Sequence, residues 1–174
     1  MFGFGKVARV TEDVSVLLDD LLTPVVPDYM QVSRVWIDPY VLGYLAGFIN
    51  MQAKARGGAS MSGERLGKLL LEMYHRISPG AGASLLRLGN SYLQERNSSY
   101  LAGLDAGSKS VQLLLAPQTV ESGVDVDKAR AVATEVAHAN LEFDRPVGAG
   151  ELSAAFTELY FYRYLRDKYM GQDK

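Results

Sequence analysis

The sequence predicts an all-α fold, a bundle of about six to seven helices, and three observations predict it. Apolar residues recur every three or four positions through most of the chain, the spacing that gathers them on one face of a helix. Each of the six prolines falls between these periodic segments or at the first position of one. No stretch alternates apolar and polar residues between hairpin turns, as a strand would.

Each element has its own signals. Thr11, followed by Glu12 and Asp13, is a helix start, with a capping hydroxyl and acids at the positive end of the dipole. Residues 1–10 before it are read as disordered, and the helix ends before Pro24. Residues 24–37 carry two prolines and then MQVSRVWI, a short helix or an extended segment, and are read as an irregular connector. Asp38-Pro39 opens the next helix, which closes near Arg56 ahead of Gly57-Gly58. Ser62 is the expected cap of a helix over 63–77, stopped by Ser78-Pro79-Gly80. Further helices are expected over about 83–96, from Ser98 to Ala116, from Asp125 or Asp127 to Phe143, and over 151–169.

Composition narrows the class. With 174 residues, 48% of them apolar, the chain is expected to form one domain, 1–174, around a real core. Eighteen basic against twenty acidic residues leave a net charge of −2, which is not the footprint of a nucleic-acid binder. The absence of cysteine removes disulfides, thiolate metal sites and cysteine nucleophiles together. The N-terminus shows no apolar core of a signal peptide. The longest apolar run, Tyr40–Ile49, is too short to span a membrane and reads as a buried helix. A cytoplasmic protein with no membrane partner is the expectation.

The two halves resemble each other. YVLGYLAG at 40–47 aligns with YLAGLDAG at 100–107, setting Gly43 against Gly103 and Gly47 against Gly107. Each half then carries Glu-x-x-His, Glu72 with His75 and Glu135 with His138, followed by proline and a GAG turn. The expectation is an internal duplication of a three-helix unit, about 38–96 and 98–170. The paired glycines, one turn apart on one helix face, predict that these two helices cross at close range.

Three functions follow from the remaining motifs. The only two histidines both sit in Glu-x-x-His, the spacing that brings carboxylate and imidazole to one metal in di-iron and di-manganese helical proteins. Glu72, His75, Glu135 and His138 are therefore candidate ligands for Fe, Mn or Zn. Helical geometry argues against this. Glu72 and His75 fall about 130° and 170° from the apolar face of Leu66, Leu69, Leu70, Met73 and Ile77. Glu135 and His138 fall about 95° and 155° from the face of Ala129, Val132, Val136 and Phe143. The GAG turns, with Gly80, Gly82, Gly148 and Gly150, precede helix N-termini and are candidate sites for an anion or small molecule. Gly63-x-x-x-Gly67-Lys68 lacks the spacing and the hydroxyl of a P-loop.

The last helix carries Phe156, Tyr160, Phe161, Tyr162, Tyr164 and Tyr169 around nearly its whole circumference. A helix apolar all round must be covered all round, and aromatics are enriched at subunit contacts. The leading expectation is thus a non-enzymatic helical interaction or regulatory protein without a cofactor. It would work as a homodimer or with another protein, using these aromatics.

Overall fold

The computed structural model describes residues 3–25, 33–139 and 146–170, and every regular element among them is helical. The long helices are α1 (Gly3–Leu22), α3 (Pro39–Gly57), α4 (Glu64–Ile77), α5 (Gly82–Gln94), α6 (Ser98–Leu115), α7 (Val124–Ala139) and α8 (Ala149–Thr157). A single turn, α2 (Ser33–Trp36), precedes α3. Among the described residues no helix is long and apolar enough to cross a membrane. The chain divides into two compact units, Met1–Gly107 and Ser108–Lys174, and the boundary falls inside α6.

In the first unit α3 is the axis. Asp38 accepts a hydrogen bond from the Val41 N–H at 3.1 Å and Pro39 occupies the first turn, as the sequence implies. Every residue from Val41 to Ile49, more than two full turns, is buried, so the helix is covered around its whole circumference. Helix α1 packs chiefly on α3, and α4 and α5 form a hairpin that also leans on it. The buried face of α4 is Leu69, Met73, Tyr74 and Ile77.

Helices α3 and α6 meet backbone to backbone. A Cβ placed on Gly43 would overlap the Tyr100 carbonyl oxygen and lie 3.1 Å from the Leu104 nitrogen. A Cβ on Gly103 would overlap the Tyr40 carbonyl oxygen and lie 2.9 Å from the Tyr44 nitrogen. These are one contact seen from its two sides: exchange Tyr40 for Tyr100 and Gly43 for Gly103, and each maps onto the other. Gly107 repeats it one turn on, against the Tyr44 carbonyl and the Phe48 nitrogen. The contacts advance together along both chains, so the two helices run in the same direction. Gly47 is buried in α3. The predicted close crossing is present at Gly43, Gly103 and Gly107.

In the second unit α7 and α8 form an antiparallel hairpin. Ser153 Oγ ties α8 to the Ser110 carbonyl of α6 at 2.7 Å. Beyond Thr157, α8 continues without a break through a π-helical turn, Glu158–Tyr162, a short α segment, Arg163–Leu165, and a second π segment, Arg166–Met170. A π turn accommodates more residues than an α turn, and this changes which side chains share a face. Leu152, Phe156, Phe161 and Leu165 are all buried, with a five-residue step between the two phenylalanines.

Three sequence expectations are corrected. Helix α1 begins at Gly3, not at Thr11, so the described part of 1–10 is helical. The stripe of Val7, Val10, Val14 and Leu18 runs straight through the threonine and outweighs its capping preference. The cap of α4 is Gly63, at φ 55°, and Ser62 turns its hydroxyl to the Ala59 carbonyl instead. Helix α7 buries Val126, Ala129, Ala133 and Ala137 and leaves Val136 56% exposed. Its inward face is rotated by about 80° from the one drawn through the valines, because alanines allow the close approach of α8. Of the connector 24–37, Val35 and Trp36 are buried in α2, and residues 26–32 lie outside the described residues, as does Phe143.

Gly103→Ala is expected to lower the unfolding free energy by about 1–3 kcal/mol, because the carbonyl it meets is backbone and cannot rotate away. Gly67→Ala, on α4 with nothing within 4 Å of the new Cβ, is expected to raise it by about 0.5–1 kcal/mol. Urea titration of both variants checks this contrast.

Candidate functional site

Helices α1 and α4 lie side by side on α3, and between them is an open groove of about 960 Å³. Its α1 wall is Val7, Ala8, Thr11, Glu12 and Ser15; its α4 wall carries Glu64, Arg65, Lys68, Leu69, Glu72 and Arg76. Arg76 closes one end through an ion pair with Asp19 at 2.6 Å. The floor is small: Ser15 and Leu69 are buried in it, and Ala8 and Thr11 flank it. Ser15 donates its hydroxyl to the Glu12 carbonyl at 2.8 Å.

The α4 wall is a row of alternating charge. Glu64 and Lys68 pair along the helix at 2.6 Å with side chains 81% and 74% exposed. Hydrogen bonding from Lys68, and then its charge, holds the Glu64 carboxyl below its usual range. An exposed pair of this kind contributes little to stability. Glu72 has no ion-pair partner among the described residues. The charged row is exposed, and the burial of α4 rests on Leu69, Met73, Tyr74 and Ile77.

The remaining predicted residues are placed as follows. Glu72 and His75 are exposed on α4, and Glu135 and His138 are exposed on α7 in the other unit. The outward facing of both motifs agrees with the helical geometry, although the inward face of α7 is shifted from the expected one. No group of three His, Asp or Glu side chains that would hold a metal ion occurs among the described residues. Gly80 adopts φ +84°, which closes the turn after α4. Gly82 lies against His75, where a Cβ would come within 2.7 Å of the ring and of the backbone nitrogen. The Gly148 N–H donates to Glu151 Oε2 at 2.7 Å, so the chain's own carboxylate takes the place an anion would occupy at that helix start. A Cβ on Gly150 would have nothing within 4 Å.

The aromatic helix divides in two. Phe156 and Phe161, at 1% and 0% exposure, belong to the core and are closed to a partner. Tyr160, Tyr162, Tyr164 and Tyr169 are half-buried. Lys168 Nζ donates to the Tyr164 hydroxyl at 2.9 Å and lies 5.2 Å from the centre of that ring. The Tyr160 hydroxyl donates to Asp125 Oδ1 at 2.7 Å, joining the end of the hairpin. Burial first, and then that bond and the carboxylate's charge, push the Tyr160 phenol up to about 12.

Sequence reasoning missed the groove because part of its α1 wall, Val7 and Ala8, lies upstream of Thr11, where no helix is expected. The valine spacing through Val7, Val10 and Val14 was the available signal. Compared with protein-family models, curated proteins and solved structures, the chain matches none.

The Tyr160 bond gives a pH-dependent prediction. The folded chain holds this proton more tightly than a free phenol does, so its contribution is full below about pH 10 and is lost as pH rises through about 12. Tyr160→Phe is expected to cost about 1 kcal/mol at neutral pH. It is also expected to flatten part of the fall in thermal midpoint over that alkaline window. A variant as alkali-sensitive as its parent contradicts this.

Proposed function

We propose that the chain is a non-enzymatic helical interaction protein of the cytoplasm that acts as a homo-oligomer, with the α1–α4 groove as its contact surface. The observation that carries this reading is the α4 wall itself. A helix already anchored by Leu69, Met73, Tyr74 and Ile77 presents a second, continuous polar face over a small floor. Grooves between neighbouring helices receive a further helix by this division of labour, with apolar contacts below and charges along the rim. The alternation of acid and base suits a protein surface of mixed charge better than the uniformly negative backbone of a nucleic acid.

Two features place the other readings behind this one. The Glu-x-x-His pairs stand on exposed faces of helices in separate units, and the second GAG turn is capped by Glu151. The tyrosine face of α8 is a smaller candidate surface, since its two phenylalanines are turned inward.

Sedimentation velocity across a dilution series tests the reading. The expected result is a sedimentation coefficient that rises with concentration toward a dimer. It should be unchanged by Fe, Mn or Zn salts or by a chelator. A monomer at every concentration, or assembly that appears only with metal, contradicts it.

A further inference from the structure

The charged face of α4 has an internal order that the groove alone does not require. Glu64, Lys68, Glu72 and Arg76 follow one another at four-residue steps, acid, base, acid, base, over about 18 Å of helix and an arc of about 120°. Reverse the helix end for end about the level of Leu70 and the row meets its opposite. Glu64 falls where Arg76 stood, and Lys68 falls where Glu72 stood. The two other polar residues on this arc, Arg65 and His75, exchange places in the same operation. The row is complementary to an inverted copy of itself.

An isologous contact demands this property. Across a two-fold axis residue i meets j while j meets i, so a charged helix can pair with itself only if each charge has its opposite at the mirrored position. From this the geometry points to a two-fold homodimer in which α4 of a second copy lies antiparallel in the α1–α4 groove, pairing Glu64 with Arg76 and Lys68 with Glu72 across the axis. This inference rests on the homo-oligomer reading above and names its partner and register.

The groove suits that occupant. The α4 of each copy enters the groove of the other, so both grooves are filled by one operation. The buried Ser15 and Leu69, with the small Ala8 and Thr11 beside them, leave room for a helix to settle close. The side chains that must rearrange are exposed: Lys68 and Glu64 are 74% and 81% so, and Arg76, which exchanges Asp19 for the second copy's Glu64, is 48% so; the intrachain pairs contribute little that would be lost. Glu72, without an ion-pair partner among the described residues, acquires Lys68 of the second copy. Arg65 is brought opposite the second copy's His75, whose ring nitrogen is able to accept from a guanidinium. The same register gives a role to Glu72 and His75, which belong to no metal-holding group among the described residues. Along the row of Glu64, Lys68, Glu72 and Arg76, each mirrored pair is of opposite charge. A contact built on one helix face and a groove rim belongs to the weaker, exchangeable class of interfaces, and its charges make it sensitive to salt.

Two charge reversals test the register. In Lys68→Glu the introduced carboxylate faces Glu72 of the second copy, and in Glu72→Lys the introduced ammonium faces Lys68 of the second copy. Because the two-fold repeats the clash, each variant alone is expected to dimerise about tenfold or more weakly than the parent. Mixed in equal amounts, the two variants are complementary at both mirrored positions: the unaltered Glu72 of one meets the unaltered Lys68 of the other, and the introduced carboxylate meets the introduced ammonium. Native mass spectrometry of the mixture is expected to show the heterodimer in excess of either homodimer. Circular dichroism of each variant verifies the fold, and the mixture carries its own control, since unfolded partners do not reassociate.

Each alternative result is decisive. A parent dimer that neither variant weakens overturns this register and leaves the homo-oligomer reading standing. Weakened variants that fail to recombine overturn the Lys68–Glu72 pairing. A parent dimer indifferent to ionic strength overturns the electrostatic basis, and a parent that stays monomeric overturns both readings at once.

Discussion

Glycine at position 103 lets the Tyr40 carbonyl stand where a side chain would otherwise begin, and glycine at 43 does the same for Tyr100. Few contacts in a helical protein tolerate so little change, because both partners are backbone and neither can rotate aside. The cost is intrinsic: each glycine in a helix interior is worth about 1 kcal/mol less than alanine. What it permits is an approach close enough for the surrounding side chains to close over both helices. Tyr44, Leu45 and Ile49 are then buried, and α5 packs so near that a Cβ on Gly89 would lie 3.3 Å from the Tyr100 hydroxyl. Burial drives the Tyr74 and Tyr100 phenols upward, which marks how dry this region is.

Because α3 is covered on all sides, the helices around it have only one face to commit to the core. For α4 that face is Leu69, Met73, Tyr74 and Ile77, and the opposite arc is left to be written by something other than folding. The acid–base alternation occupies that free arc. The residues that fold this helix are therefore not those of its outer row, which is why charge reversals there can leave the fold intact. The reciprocal glycine contact is also the relation that a duplicated pair of helices would leave behind. The compact units, however, part inside α6 and not at the turn before it.

Much of the architecture is legible in the residues. Asp38-Pro39 announces α3, the apolar run Tyr40–Ile49 announces a buried helix, and the paired glycines announce its closest neighbour. The failures share a cause: a local signal speaks where tertiary packing decides. Thr11 is a good cap in isolation, but Val7 and Val10 extend the stripe that α3 covers. Valines mark the wrong face of α7 because bulk is not burial, and a close neighbour requires alanines. The α8 aromatics look apolar all round only on an α-helical wheel; one π turn brings Phe156 and Phe161 onto a common face. The α4 row is present in the sequence throughout. Its self-complementarity acquires meaning only once the fold shows which arc is free and that a groove runs beside it.

The glycine contact, as the constraint on which the rest is built, is tested most directly by native-state hydrogen exchange read residue by residue. Amides of residues 42–49 and 103–107 are expected to exchange only through global unfolding, with a free energy equal to that from urea titration. If those amides instead open locally, at a free energy well below that of the α4–α5 hairpin, the helix pair is a late addition to the structure and not its foundation.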